Sequence, residues 1–187
     1  TMSDTQLKIG DNATVTLVFS EAVIGFSSAA DITAPNGSLS TMTSSDNITW
    51  SGTFTPATNT EDTSNTLSLA TSYTDPAGNN GTAKTTPNYT VDTRKPTLSE
   101  ETAVSTPTND NTPNYTFSSN EAGTISYAGG CSSSTSAASA TNNNTITFIA
   151  LDDGTTYPNC TITVTDSAGN ASTALPVTSF TVAVPPV

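Results

Sequence analysis

Tyr73-Thr74-Asp75-Pro76-Ala77-Gly78-Asn79 and Val164-Thr165-Asp166-Ser167-Ala168-Gly169-Asn170 are two versions of one turn, placed about half the chain apart. Each closes an alternating apolar run, and recurrence of the same Asp-x-Ala-Gly-Asn turn marks an internal repeat. The match extends outward. The runs ending Tyr89-Thr90-Val91 and Phe180-Thr181-Val182 follow their turns at the same distance, and an acid recurs in Phe19-Ser20-Glu21-Ala22 and Ser119-Asn120-Glu121-Ala122. The first unit closes with Val91-Asp92-Thr93-Arg94-Lys95-Pro96, and the second opens Thr97-Leu98-Ser99-Glu100, much as the chain opens Thr1-Met2-Ser3-Asp4. Two repeats are therefore predicted, residues 1–95 and 96–187, with Thr1 expected to follow an equivalent proline of a preceding unit.

No stretch carries a helical period, whereas two-residue alternation recurs between Gly, Pro, Asn and Asp. Val15, Leu17 and Phe19 share one face of a strand; Ile48, Trp50 and Phe54 follow, then Leu67, Leu69 and Tyr73, and finally Tyr89 and Val91. The second unit repeats the scheme with Tyr115 and Phe117, Ile125 and Tyr127, Ile146 and Phe148, Cys160, Ile162 and Val164, then Phe180 and Val182. About seven short half-buried strands per unit predict an all-β chain of two tandem immunoglobulin-like β-sandwich domains joined by a short linker. The Ser-, Thr- and Asn-rich stretches at 55–65 and 131–144 read as loops or weak edge strands.

Charged residues make up only 11% of the 187, yet sixteen acids face four bases, for a net charge of −12. That balance repels nucleic acid and anionic membranes and favours divalent cations. No apolar stretch approaches the ~20 residues of a membrane span, and no charged-then-apolar leader is present. Cys131 and Cys160 read as one intradomain disulfide formed in an oxidising compartment, with two buried free thiols as the alternative. Cys160 shares the parity of Ile162 and Val164 and is expected to face inward, its partner coming from the opposing sheet or that sheet's edge.

With no histidine in the chain, the usual general base, metal ligand and triad partner are all missing. No glycine-rich phosphate loop leads from a strand into a helix, and the acids fall on separate loops rather than as a carboxylate pair. The reading is of a protein that is not an enzyme. An internal isopeptide at Lys8 is disfavoured because its parity opposes that of Leu7 and Ile9.

An immunoglobulin-type strand order sends alternate loops to opposite ends, which sorts the acids. Asp4, Glu21, Asp75 and Asn79 are expected at the leading end of the first unit, and Asp11, Glu61, Asp62 and Asp92 at its trailing end. Glu121, Asp166 and Asn170 belong to the leading end of the second. Carboxylates crowded together repel by about 1 kcal/mol per pair at ~4 Å even in bulk water. Ca2+, which takes about six to eight oxygen ligands in flexible geometry, would resolve that repulsion. The expected interdomain set is Asp92, Asp62, Glu61, Asp11, Glu121, Asp166 and Asn170, with a second set of Asp4, Glu21, Asp75 and Asn79. Asp92 is the sharpest candidate, because an acid in a short linker can reach both domains. The same turn has a metal-free reading, in which Asp caps backbone N–H groups while Gly and Asn take positive φ.

Together these residues resemble bacterial immunoglobulin-like repeats, the tandem modules of large secreted surface adhesins. In the first unit the resemblance is carried by Leu17-Val18-Phe19-Ser20-Glu21-Ala22-Val23, Asp31-Ile32-Thr33, Trp50 with Phe54-Thr55-Pro56, the Asp75 turn, and Val91-Asp92-Thr93 with Pro96-Thr97. The second unit resembles a cysteine-bearing subtype through Gly123-Thr124-Ile125, Cys131, Asn159-Cys160-Thr161-Ile162-Thr163-Val164, Asp166 to Asn170, and Phe180-Thr181-Val182. The resemblance implies extracellular repeats on a bacterial cell surface that project an adhesive tip, often with calcium at domain junctions. It thereby supports Asp92, Glu121, Asp166 and Asn170, whereas Ala183 departs from the pattern where Asp92 would align. The implied partners are neighbouring repeats of the same chain and, through the parent protein, a host surface or glycan. The leading function is a calcium-stiffened extender. The alternatives are a glycan- or protein-binding module using 131–144, a stretch without the aromatic side chains that anchor such contacts, and a subunit of a surface layer or filament.

Overall fold

Most of the alternating runs become strand, and the computed structural model, which describes residues 1–149 and 151–185, divides into units Thr1–Arg94 and Lys95–Val187. The first unit contains β1 (Gln6–Lys8), β2 (Ala13–Val18), α1 (Ser28–Asp31), β3 (Ile32–Thr33), β4 (Gly37–Leu39), β5 (Thr49–Pro56), β6 (Glu61–Asn65), β7 (Ser68–Leu69), β8 (Lys84–Thr85) and β9 (Tyr89–Asp92). One layer is the antiparallel sheet β2-β5-β4, flanked by residues 1–3 through the Met2–Val15 bridge. The other is built from β3-β7-β8 and β1-β9-β6, in which β1 runs parallel to β9 and a register shift between Asp62 and Asn65 breaks the β6 pairing.

The second unit contains β10 (Leu98–Thr102), β11 (Asn114–Ser119), β12 (Gly123–Ala128), β13 (Ala137–Ala138), β14 (Asn144–Thr147), β15 (Thr156–Tyr157), β16 (Thr161–Thr165), β17 (Leu175–Pro176) and β18 (Phe180–Thr181). Its layers are β10-β11-β14 against β13-β12-β16-β17 with β15-β18. The layout repeats the first unit with two changes: the extra edge strand joins β5 as β4 in the first unit and joins β12 as β13 in the second, and β10 runs along β11 beyond the point where residues 1–3 stop along β2. The stretch 55–65 holds the end of β5 and the edge strand β6, while 131–144 holds only β13 and the first residue of β14.

Inward-facing positions form one core per unit. Leu7, Val15, Phe54, Tyr89 and Val91 belong to the first, and Tyr115, Phe117, Ile146, Phe148, Ile162, Val164 and Phe180 to the second. Each fully buried large apolar side chain contributes roughly 1.5–3 kcal/mol relative to exposure, so these residues carry most of each unit's stability. The second core is a run of stacked rings, Tyr115–Phe148 at 5.8 Å, Phe148–Phe180 at 5.9 Å and Tyr157–Phe180 at 5.4 Å. The first uses edge-on contacts, Phe26–Trp50 at 4.9 Å and Phe54–Tyr89 at 5.2 Å.

One turn of helix stands beside the strands, and two expectations are corrected. The Ser27–Asp31 segment is one turn of helix, too short to show a period; the buried Asp31 carboxylate holds it by accepting from Ser27 N–H (2.7 Å) and from the Ser72 hydroxyl. The disulfide joins Cys131 to Cys160 with Cα atoms 5.5 Å apart. Cys160 is buried as its parity requires. Its partner, however, lies just past β12, the neighbour of β16 in the same sheet, rather than in the opposing one. Gly129 permits that geometry: it has φ +77°, and a Cβ there would strike the Asn159 carbonyl. Finally, the openings of the two units do not align as Thr1 with Thr97. The Thr1 carbonyl accepts from Thr16 N–H, and Thr102 pairs with Thr116, so Thr1 corresponds to Thr102.

Candidate functional site at the acidic loop ends

The repeated turn is built identically in both units. Asp75 N–H donates to the Asn79 carbonyl and Asp166 N–H to the Asn170 carbonyl, while Gly78 and Gly169 donate back to the Asp75 and Asp166 carbonyls. Gly78 (φ +89°) and Gly169 (φ +95°) take the left-handed position. Asn79 and Asn170 are absent from the residues with positive φ, which corrects the expectation for them. Their role is to brace the carboxylate. Asp75 accepts from Asn79 N–H (2.8 Å) and Nδ2 (2.6 Å). Asp166 accepts from Gly169 N–H, Asn170 N–H (both 2.8 Å) and Asn170 Nδ2 (3.1 Å). The Asn79 amide, followed by its backbone N–H, holds the Asp75 carboxyl below its ordinary 3.8. The metal-free reading of the turn is therefore realised as a cap. A carboxylate offers about four lone-pair positions, so the cap leaves some capacity unused.

At the leading end of the first unit, Glu21, Asp75 and Asn79 line a common hollow of about 500 Å3. Asp4 is not among them. Ser3 N–H donates to the Thr14 carbonyl, which carries Asp4 toward the start of β2, away from Glu21, and its carboxylate accepts from Gln6 N–H (2.9 Å). In the second unit Thr124 pairs with Thr165, so Glu121, just ahead of β12, and the Asp166 turn, just after β16, share one end. Glu121 Oε1 accepts from Asn120 Nδ2 (3.3 Å), and Asn170 is buried.

At the trailing end of the first unit the structure gathers Asp11, Glu61, Asp62 and Asp92 with cations among them. Asp92 is the last residue of β9, in register with Lys8 on one side and Glu61 on the other. It is thus a strand residue and not part of a free linker. Glu61 pairs with Arg94 at 3.3 Å, both side chains being largely in solvent, where such a pair contributes little. Arg94 N–H also donates to Asp92 Oδ1 (3.3 Å). Asp11 Oδ2 accepts from Lys8 N–H (3.1 Å). Asp62 has the opposite parity to Glu61 and turns to the sandwich edge, where it accepts from Asn36 Nδ2 (2.8 Å) and Ser64 N–H (2.8 Å). Burial, and then the nearby Asp62 charge, push the Tyr89 hydroxyl up to about 12.

In the sequence, Lys8 is weighed only for an isopeptide and Arg94 is given no role beside these acids. The parallel β1–β9 pairing that sets Lys8 opposite Asp92 joins residues more than eighty positions apart, and local spacing does not announce it. The oxygen-rich donor set suits a hard cation. Among the described residues, however, no group of three or more Cys, Asp or Glu side chains converges closely enough to hold a metal, so neither unit alone assembles a full cage. Nor is any helix among them long and apolar enough to cross a membrane.

Residues 1–91 match the family model described as bacterial Ig-like domain. No curated protein and no solved structure matches the chain. The family is a non-catalytic type of module, and together with the disulfide it points to an extracytoplasmic protein.

Proposed function

We propose, on the premise that the first unit belongs to the bacterial Ig-like domain family, that this chain is a structural extender segment of a bacterial cell-surface adhesin. The observation that carries the reading is the repetition itself: the same central strand pairings and the same capped turn are used twice, and the chemistry-bearing residues are spent on holding turns and edges. In this reading neighbouring repeats of the same chain are the immediate partners, and the parent protein contacts a host surface or glycan.

Calcium belongs to the proposal as the stiffening ion at the junction between repeats. Asp92, Asp62, Glu61 and Asp11 would supply oxygens from one side and Glu121, Asp166 and Asn170 from the other, with Asp4, Glu21, Asp75 and Asn79 as a second set. The net charge of −12 and the unused lone pairs of the capped carboxylates support it. When bound, the ion would supply neutralisation of crowded carboxylates and nothing catalytic. The test is small-angle scattering and calorimetry of the whole chain in Ca2+ and in chelator. A more extended, narrower distribution and a higher melting temperature in Ca2+ are expected. Superimposable profiles and equal melting temperatures would remove calcium from the reading. Monomers that polymerise end to end without a neighbouring repeat would replace the extender with a filament subunit.

A further inference from the structure

A groove runs along one edge of the first unit, between β2 and β8. Its apolar part, about 240 Å3, is walled by Val15, Leu17, Ile32, Leu67, Leu69 and Pro87. It shares Leu17, Leu69 and Lys84 with the hollow that reaches Glu21 and Asp75, so the two adjoin. Strand edges border it on both sides. Residues 1–3 pair with β2 only as far as Thr16, and among the described strands β8 pairs with β7 alone. Phe19 N–H donates to the Ile48 carbonyl across β5, while Thr16 N–H donates the other way, to Thr1. By that alternation Val18 turns its N–H and C=O toward the groove. Val18 is also 64% exposed, and Leu17 and Phe19 are only half-buried.

The second unit shows what belongs in such a groove. β10 lies along β11 with Leu98 opposite Ser119, Ser99 opposite Ser118 and Glu100 opposite Phe117. Leu98 packs on the core, and Phe117, the counterpart of Leu17, is fully buried. Glu100 closes the far side by accepting from Thr178 N–H (2.9 Å) and Oγ1 (2.6 Å). The first unit has no strand opposite Leu17 to Phe19. Where the second has Thr178 it has Pro87, which lacks an N–H to donate. An acid in the place of Glu100 would lack that amide donor, whereas an apolar side chain would meet the apolar wall.

We propose that this groove is an acceptor for an extended peptide strand, added antiparallel to β2, with apolar side chains at the two alternate positions opposite Leu17 and Phe19, and supplied by the connection to a neighbouring repeat. Main-chain bonds to Val18 give the affinity and the apolar wall gives the side-chain preference. The neighbouring repeat as source rests on the extender reading, and β10, which directly follows the connecting residues 93–96, is its pattern within this chain.

The test uses the full chain with Leu-Ser-Val or Ser-Ser-Ser joined directly ahead of Thr1, read by amide hydrogen exchange and by the fluorescence of Trp50, the single tryptophan. With Leu-Ser-Val, exchange at Val18 is expected to slow tenfold or more and the Trp50 transition to move to higher denaturant; with Leu-Ser-Glu the gain should be smaller. Equal Val18 exchange in the Leu-Ser-Val and Ser-Ser-Ser chains overturns the proposal. Protection by a free Leu-Ser-Val-Thr peptide equal to that of the joined one would reassign the groove to foreign peptides. Protection of the unextended chain that rises with protein concentration would reassign it to a second copy. The readout is local to the first unit, so its failure is distinct from failure of the extender reading, which scattering decides.

Discussion

At the same point of the same strand pairing, the two units use opposite chemistry. Asn65 lies across from Tyr89 in the first, and Tyr157 lies across from Phe180 in the second. Asn65 is buried and fully engaged: Nδ2 donates to the carbonyls of Asp62 (3.1 Å) and Tyr89 (3.2 Å), and Oδ1 accepts from Asn36 (2.7 Å). Tyr157 stacks on Phe180 and accepts from Asp152 N–H through its hydroxyl (2.7 Å). Further along the same strands, Leu67 and Cys160 are again equivalent, since their carbonyls accept from Thr86 N–H and Val177 N–H. One packs as a plain apolar side chain; the other carries the disulfide. A strand that must break and resume needs a pin, and an amide network, a ring stack or a covalent bond serves equally once every buried donor is satisfied.

The disulfide should give the largest difference between the units. Replacing both cysteines (Cys131→Ser with Cys160→Ser) opens a loop with a sequence separation of 29. The second unit should lose about 3 kcal/mol. The transition reported by Trp50, in the first unit, should not move. Denaturant unfolding followed in parallel by Trp50 fluorescence and far-ultraviolet circular dichroism separates the two. A shift of the Trp50 curve would mean that the units do not unfold independently.

The amide network is the corresponding pin in the first unit. Asn65→Ala removes its bonds and leaves the Tyr89 carbonyl and the Asn36 amide short of a partner, for an expected loss of about 2 kcal/mol. Here Trp50 reports the whole effect, and the second unit should keep its midpoint. If Asn65→Ala costs no more than substitution of an exposed asparagine of the same unit, such as Asn80→Ala, the network is not what holds the break.

The turns offer a smaller and sharper contrast. Asp166→Ala deletes three accepted bonds beside a buried Asn170 and should cost the second unit about 1 kcal/mol. Asp75→Ala deletes the equivalent cap beside an exposed Asn79, and its loss should be the smaller of the two. Thermal unfolding of each single variant checks the order; a reversal would show that burial of Asn170 adds nothing to the cap.

The fold was legible because its signal is local: alternation within six residues sets β2, β11 and β16, and a turn of seven residues announces the repeat twice. Glu21 meets Asp75 and Asn79, and Glu121 shares an end with Asp166, because each lies just beyond a strand whose ends that alternation marks. What stayed hidden was non-local. Asp4 moved because residues 1–3 pair with one sheet and 6–8 with the other, a switch without a local signature. The charge around Asp92 was misjudged because Lys8 reaches it only through a parallel pairing. Cys131 was placed across the sandwich because parity fixes the face of Cys160 but not which neighbour the glycine pair lets the chain approach.

The smallest effect bears on the edge that is closed in one unit and open in the other. Burial raises the Glu100 carboxyl, but the hydroxyl and amide of Thr178 outweigh it and leave the group below its ordinary 4.5. A folded value below the unfolded one means that the bond to Thr178 stabilises the second unit fully above about pH 4.5, and that this contribution fades as pH falls through the folded value. The side chain is largely hydrated, so the contribution is on the order of 0.5–1 kcal/mol after solvent screening. Comparing wild type with Glu100→Gln isolates it from the other acids. The gap between their second-unit melting temperatures should be open at pH 6 and narrow as pH falls through the folded value, while the Trp50 transition of the first unit, where Pro87 replaces Thr178, should show no gap at any pH. Equal second-unit melting temperatures of the two proteins at pH 6 would assign the closure of that edge to the packing of Leu98 rather than to the carboxylate.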